Sequence, residues 1–144
     1  ADGIHLSGER EEDGREVSTS PQLLRGAPYF PVPDVEQSVV HYERVFGFTR
    51  DYIAGSPPEF AMVSRDSLCI MLRKVAGEIS PNEKQGGTWD AFFWVRDVRA
   101  LHDELKGRGA VIVYGPIVQK AYDMEEFAVR DRDGYILGFG QPGE

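Results

Sequence analysis

Two short stretches decide the fold: Tyr29-Phe30-Pro31-Val32-Pro33-Asp34-Val35 and Phe92-Phe93-Trp94-Val95-Arg96-Asp97-Val98. Each is an apolar strand-like run followed by an aspartate and then by apolar residues at helical spacing. Asp34 stands as an N-cap with Gln37 three positions on, ahead of a stripe at Val35, Val39, Tyr42 and Phe46 that Gly47 ends. Asp97 caps a second stripe, Val98, Leu101 and Leu105, that Gly107-Arg108-Gly109 ends. Val32 and Val95 are 63 residues apart, the offset expected of an internal duplication.

Working outward, Ala27–Val32, Phe48–Ile53, Glu59–Ser64 and Ser67–Arg73 are predicted strands, separated by Gly55-Ser56-Pro57-Pro58 and by Arg65-Asp66. After the polar stretch 76–88 come Trp89–Val95, Ala110–Tyr114, Glu125–Arg130 and Tyr135–Gly140, the last two joined by the turn Asp131-Arg132-Asp133-Gly134. Both halves therefore read β-α-β-β-β, modules of about residues 25–75 and 88–142 within a single domain over 21–144. Residues 1–20 hold six acids, two arginines and few large apolar residues, and are expected to be a flexible acidic extension.

Composition removes several functions. The chain has 144 residues and a net charge of −8, half of it in those first twenty residues, and lacks the clustered Lys and Arg that nucleic-acid binding requires. Its apolar runs, such as Leu68–Leu72, are far too short to cross a membrane or to form a signal-peptide core, so a cytoplasmic protein is expected. One cysteine, Cys69, permits no internal disulfide and no CxxC zinc framework. There is no GxSxG, and Gly86-Gly87 lacks the Lys and Ser/Thr of a phosphate loop. Asp131 and Asp133 sit in turn chemistry first, and His5, His41 and His102 form no HxH or HExxH spacing.

The order strand, V-x-D-V, helix ending at Phe46-Gly47-Phe48, and finally Phe127-Ala128-Val129-Arg130-Asp131-Arg132-Asp133-Gly134-Tyr135 resembles the vicinal oxygen chelate superfamily of glyoxalases, bleomycin resistance proteins and extradiol dioxygenases. The resemblance covers about residues 25–142. It implies an α+β fold of two βαβββ modules whose curved, mostly antiparallel sheet wraps a ligand cup, commonly in a homodimer. Enzymes of the superfamily hold a divalent metal at the cup floor. Carried onto this chain, the four ligand positions fall at Ala27, Met71, Asp90 and Gly138, and only Asp90 offers a donor, too few for a metal centre.

Counting in twos from those positions points Tyr29, Cys69, Arg73, Phe92, Trp94 and Ile136 into the cup. Phe30, Val32, Ile70, Leu72, Phe93, Val95, Leu137 and Phe139 would lie beneath the helices. The expected site is Tyr29, Met71, Arg73, Phe92, Trp94 and Ile136 around Asp90, an aromatic cavity with one negative charge. The alternative is that these aromatics only fill the interior, with Asp90 paired to a partner such as Arg73. Lys120-Ala121-Tyr122-Asp123-Met124-Glu125-Glu126-Phe127 resembles the loop that borders the ligand groove in metal-free members, and with Trp89 and Tyr114 would form a second aromatic and acidic rim.

The resulting expectation is a metal-free binder of the bleomycin-resistance type, without cofactor or catalytic residues, that sequesters a bulky aromatic or cationic small molecule in a homodimer. Two alternatives stay open. One is a glyoxalase-like lyase or isomerase, or a dioxygenase, using a metal through Asp90, Asp66 or Glu59; the other is a non-catalytic interaction module.

Overall fold

The computed structural model describes residues 9–10, 16–17 and 19–143, with side chains from residue 19 onward. The expected flexible extension falls mostly outside these residues; within it, β1 (Glu9–Arg10) and β2 (Glu16–Val17) pair antiparallel. The first module runs β3 (Tyr29–Val32), α1 (Val35–Phe46), β4 (Thr49–Ala54), β5 (Phe60–Arg65) and β6 (Leu68–Lys74). The second runs β7 (Ala91–Trp94), α2 (Val98–Gly107), β8 (Val111–Gln119), β9 (Met124–Arg130) and β10 (Ile136–Pro142).

Both helices start where the sequence says. Asp34 accepts from the Gln37 N–H at 3.0 Å and Asp97 from the Ala100 N–H at 3.1 Å, each satisfying an orphan donor of the first turn. Gly47 ends α1 with φ of 74°, a left-handed conformation that favours glycine. The buried face of α1 is Val35, Val39, Tyr42 and Phe46, and each such side chain contributes roughly 1.5–3 kcal/mol when fully buried.

Strands form two four-stranded sheets, ordered β3-β6-β5-β4 and β7-β10-β9-β8. Each has one parallel pair, β3 with β6 and β7 with β10, and two antiparallel pairs. This is the expected α+β pair of βαβββ modules, and the two sheets do not share a ladder. The faces toward the helices, including Phe30, Val32, Ile70, Leu72, Phe93, Leu137 and Phe139, enter one continuous core drawn from both modules. Among the described residues, no helix is long and apolar enough to cross a membrane.

One strand departs from expectation. β8 continues past Tyr114 to Gln119, because its ladder to β9 resumes after register shifts around Tyr114 and across Gly115-Pro116. Gly115 has φ of 90°, and a Cβ there would collide with the Glu126 carbonyl. What looks locally like a strand end is a bulge at a close backbone approach.

The modules are tied by polar contacts as well as by the core. Asp131 Oδ1 accepts from the Asp133 and Tyr135 N–H groups at 2.8 and 2.9 Å, and Oδ2 accepts from the Tyr42 hydroxyl at 2.6 Å. The Ser38 hydroxyl donates to Asp133 at 2.5 Å. Tyr135 stacks on Phe30, centroids 4.3 Å apart, and donates to the Pro31 carbonyl at 2.5 Å. Arg65 forks onto Glu104 at 2.7 and 3.0 Å and reaches the Phe46 carbonyl.

Burial raises the Asp131 carboxyl to about 6, against the lowering effects of the Tyr42 hydroxyl and the two backbone N–H groups. A carboxyl that holds its proton more tightly folded than unfolded stabilises the fold less as pH rises from about 4 to about 6, here by about 3 kcal/mol. Asp131→Asn keeps the turn acceptor and removes the charge. Urea unfolding at pH 4.5 and pH 7 is expected to show the variant gaining stability relative to the wild type as pH rises through this window; parallel pH profiles would contradict it.

Candidate functional site

The open face of the second sheet is built around missing side chains. One row across it reads Phe92, Gly138, Ala128, Tyr114, and the next reads Trp94, Gly140, Glu126, Ile117. Two glycines and an alanine in the middle strands leave a trench, and rings fill it. A Cβ at Gly138 would stand 2.7 Å from both the Phe92 ring and the Trp89 indole nitrogen; one at Gly140 would stand 2.6 Å from Phe92 and Met124. Trp89 and Phe92 pack with centroids 4.5 Å apart, and Trp94 meets Phe92 edge-on at 5.3 Å with 70% of its surface exposed.

Beside the trench lies a cavity of about 220 Å³ lined by Thr88, Trp89, Tyr114, Ile117, Gln119, Tyr122 and Glu126. The Trp89 indole N–H donates to the Tyr114 hydroxyl at 2.8 Å, which donates to Glu126 Oε2 at 2.5 Å; the Tyr122 hydroxyl donates to Oε1 at 2.8 Å. Glu126 is fully buried. Burial first, and the bond to Glu126 second, raise both phenols above the ordinary tyrosine value, so they remain donors at neutral pH.

Each Asp90 oxygen carries one backbone hydrogen bond. Its Oδ1 accepts from the Asn82 N–H and its Oδ2 from the Ile136 N–H, both at 2.8 Å. It anchors the loop before β7 to the start of β10, and β7 itself runs Ala91–Trp94 within the expected Trp89–Val95. Arg73 does not pair with it: its Nε donates to the Tyr29 hydroxyl at 3.2 Å and its guanidinium lies 5.6 Å from the Phe60 ring centre.

The anticipated residues are thus brought together in groups. Trp89, Phe92, Trp94, Tyr114 and Tyr122 gather on the second sheet. Tyr29, Met71 and Arg73 belong to the first, where the row Tyr29, Met71, Met62, Tyr52 crosses all four strands. Tyr29 and Asp90 also border a cavity of about 550 Å³ at the junction of the modules, while Ile136 is buried. Glu126 is the member whose importance the sequence understated: the segment holding it was recognised as a rim, but not which of its acids is buried.

A larger cleft of about 560 Å³ lies between the β5–β6 turn and α2. Arg65 is matched there by Glu104 and Asp97 by its own helix, while the other two charges on its lining, Asp66 and Arg96, are exposed at its rim. His41 and His102 sit on helix flanks, edge-on to Phe46 and Phe127 at 5.0 and 5.3 Å.

Donor chemistry also tests the metal centre that the fold suggests. Ala27, Met71 and Gly138 bring no hard donor, both Asp90 oxygens carry backbone N–H groups, and the space next to Gly138 holds rings. Among the described residues, no three His, Cys, Asp or Glu side chains converge as a metal-binding group. The residues present do not fit the metal.

Comparison with known proteins gives consistent results. Residues 26–139 match the family model described as the Glyoxalase/Bleomycin resistance protein/Dioxygenase superfamily. No curated protein matches the sequence. Among solved structures, TioX from Micromonospora sp. ML1 aligns at 22% identity and TM-score 0.63, over 78% of this chain and 94% of its own. The bleomycin-binding protein from bleomycin-producing Streptomyces verticillus, complexed with copper(II)-bleomycin, aligns at 24% identity and TM-score 0.60, over 86% and 99%. A glyoxalase-related enzyme from Clostridium phytofermentans aligns at 18% and 0.62, over 87% and 99%. At these identities the structural likeness speaks for the fold.

If rings occupy the place of a side chain at 138, even a methyl group there is overpacked. Gly138→Ala is expected to cost about 1–3 kcal/mol in urea unfolding and to shift the Trp89 indole resonance; a variant as stable as the wild type would show that the trench is not filled.

Proposed function

The chain belongs to the glyoxalase/bleomycin resistance protein/dioxygenase superfamily, and from that membership we propose that it is a metal-free binding protein that sequesters a bulky aromatic or cationic small molecule without altering it. The observation that carries this reading is the filling of the Gly138 position by Trp89 and Phe92. Where the superfamily's enzymes place a metal ligand, this chain places indole and phenyl rings. Such a floor stacks on flat ligands and attracts cations, and it leaves no Lewis-acid chemistry for the protein to direct.

The ligand site is completed by a second copy of the chain. The first sheet presents Tyr29 and Tyr52, 52% and 54% exposed, with half-buried Phe60, Met62 and Met71 between them. The second sheet presents Trp94, Ile117 and the trench. Among the described residues each is an apolar wall with no opposite wall, and such contiguous faces mark interaction or ligand surfaces. In a homodimer the first sheet of one protomer faces the second sheet of its partner, and the compound lies between them.

Calorimetric titration with a metal-free bleomycin-type compound in excess chelator tests the binding claim. Saturable binding with the compound recovered unchanged is expected; binding that requires a metal loaded on the protein, or chemical conversion of the compound, would overturn the reading. Sedimentation velocity tests the dimer. The wild type is expected to be dimeric, and Met62→Arg, which puts a charge in the apolar wall, is expected to weaken the dimer by more than about tenfold. A monomeric wild type that binds the compound at full affinity would contradict the shared site.

A further inference from the structure

Glu126 poses a separate physical problem. Its side chain is 0% exposed, its hydrogen-bond partners are two neutral phenols, and among the described residues no Lys, Arg or His forms an ion pair with it. Asp131, also buried, is explained by its turn and by Tyr42; Glu125 next door pairs with Arg99. A buried carboxylate without a counter-charge is costly, and phenol hydroxyls offset only part of that cost.

The surroundings show what supplies the missing charge. Trp89, Tyr114 and Tyr122 line one cavity directly against Glu126. Aromatic faces attract cations, most strongly where water is excluded. A phenol that donates to a carboxylate is polarised toward phenolate, which makes its ring a better cation acceptor. Three electron-rich rings over one buried negative charge form a cage for a cation.

Two further facts narrow the cation. At about 220 Å³ the cavity is smaller than the roughly 300–1,000 Å³ that holds a drug-sized molecule, so it takes a head group and not a whole ligand. Both Glu126 oxygens already accept a hydrogen bond and neither is open to solvent, so a primary ammonium would surrender water and find no exposed carboxylate acceptor. An alkylated ammonium carries charge and apolar surface with no N–H to satisfy. Resting on the binding function above and naming its recognition group, we propose that the cage of Trp89, Tyr114 and Tyr122 over Glu126 binds the quaternary ammonium head of the ligand.

Choline and 3,3-dimethylbutan-1-ol, equal in shape but differing in charge, test this with the intact protein. The chain has two tryptophans, so its ¹H–¹⁵N spectrum carries two indole signals, which Trp94→Phe assigns. Choline is expected to shift the Trp89 signal saturably and to bind at least about tenfold more tightly than the alcohol. Glu126→Gln is expected to remove that preference and leave binding of the alcohol unchanged. Tyr122→Phe keeps the ring, loses one bond from a half-exposed residue, and is expected to weaken choline severalfold; it carries the test if Glu126→Gln does not fold. Equal binding of the two probes, or choline affinity indifferent to the substitutions, overturns the cage. If Trp89 ignores choline while a bleomycin-type compound still binds in chelator, the cage fails and the binding function stands. If nothing binds without added metal, the binding function itself fails.

Discussion

The relation between the two halves of the molecule rests on one carboxylate. Asp131 uses one oxygen to close its own turn, through the Asp133 and Tyr135 N–H groups, and the other to take the hydroxyl of Tyr42 from the opposite module. That bond fixes α1 against the β9–β10 turn, while the Phe30–Tyr135 stack and the Arg65–Glu104 fork hold neighbouring points of the same seam. With the helix-side faces of both sheets committed to a shared core, their other faces are left open. Burial of Asp131 raises its proton affinity, so ionising it at neutral pH costs the fold stability, a cost the Tyr42 hydroxyl and the backbone N–H groups offset only in part.

The open faces acquire their chemistry by subtraction. Gly138 and Gly140 remove two side chains from the middle of the second sheet, and Trp89 and Phe92 move into the space. Asp90, the one donor at a superfamily ligand position, is turned to backbone N–H groups and serves the loop before β7. Negative charge reappears a strand away at Glu126, under tyrosines. A floor that could have carried a Lewis acid carries rings and a buried carboxyl group, the surface on which the proposed binding function rests.

Much of this was legible in the residues. Asp34 and Asp97 announce helix starts, Gly47 announces a stop, and alternation places Phe30, Ile70, Leu72, Leu137 and Phe139 on the core side, because each rule acts within a few residues. The remainder depends on long-range partners. Gly115-Pro116 reads as a strand end until β9 pairs beyond it, and Glu126 reads as a rim acid until Tyr114 and Tyr122 close over it. Asp90 looks like a ligand until Asn82 and Ile136 arrive from elsewhere in the chain. The division into two modules already separates Tyr29, Met71 and Arg73 from Trp89, Phe92 and Trp94; that their sheets share no ladder depends on long-range pairing.

Elemental analysis of the protein, purified without chelators and in the presence of added divalent ions, tests the central claim most directly. An aromatic floor in place of a metal centre predicts far less than one Fe, Mn, Ni, Cu or Zn per chain, with ligand binding intact. A stoichiometric ion that survives dialysis, and whose removal abolishes binding, would contradict it.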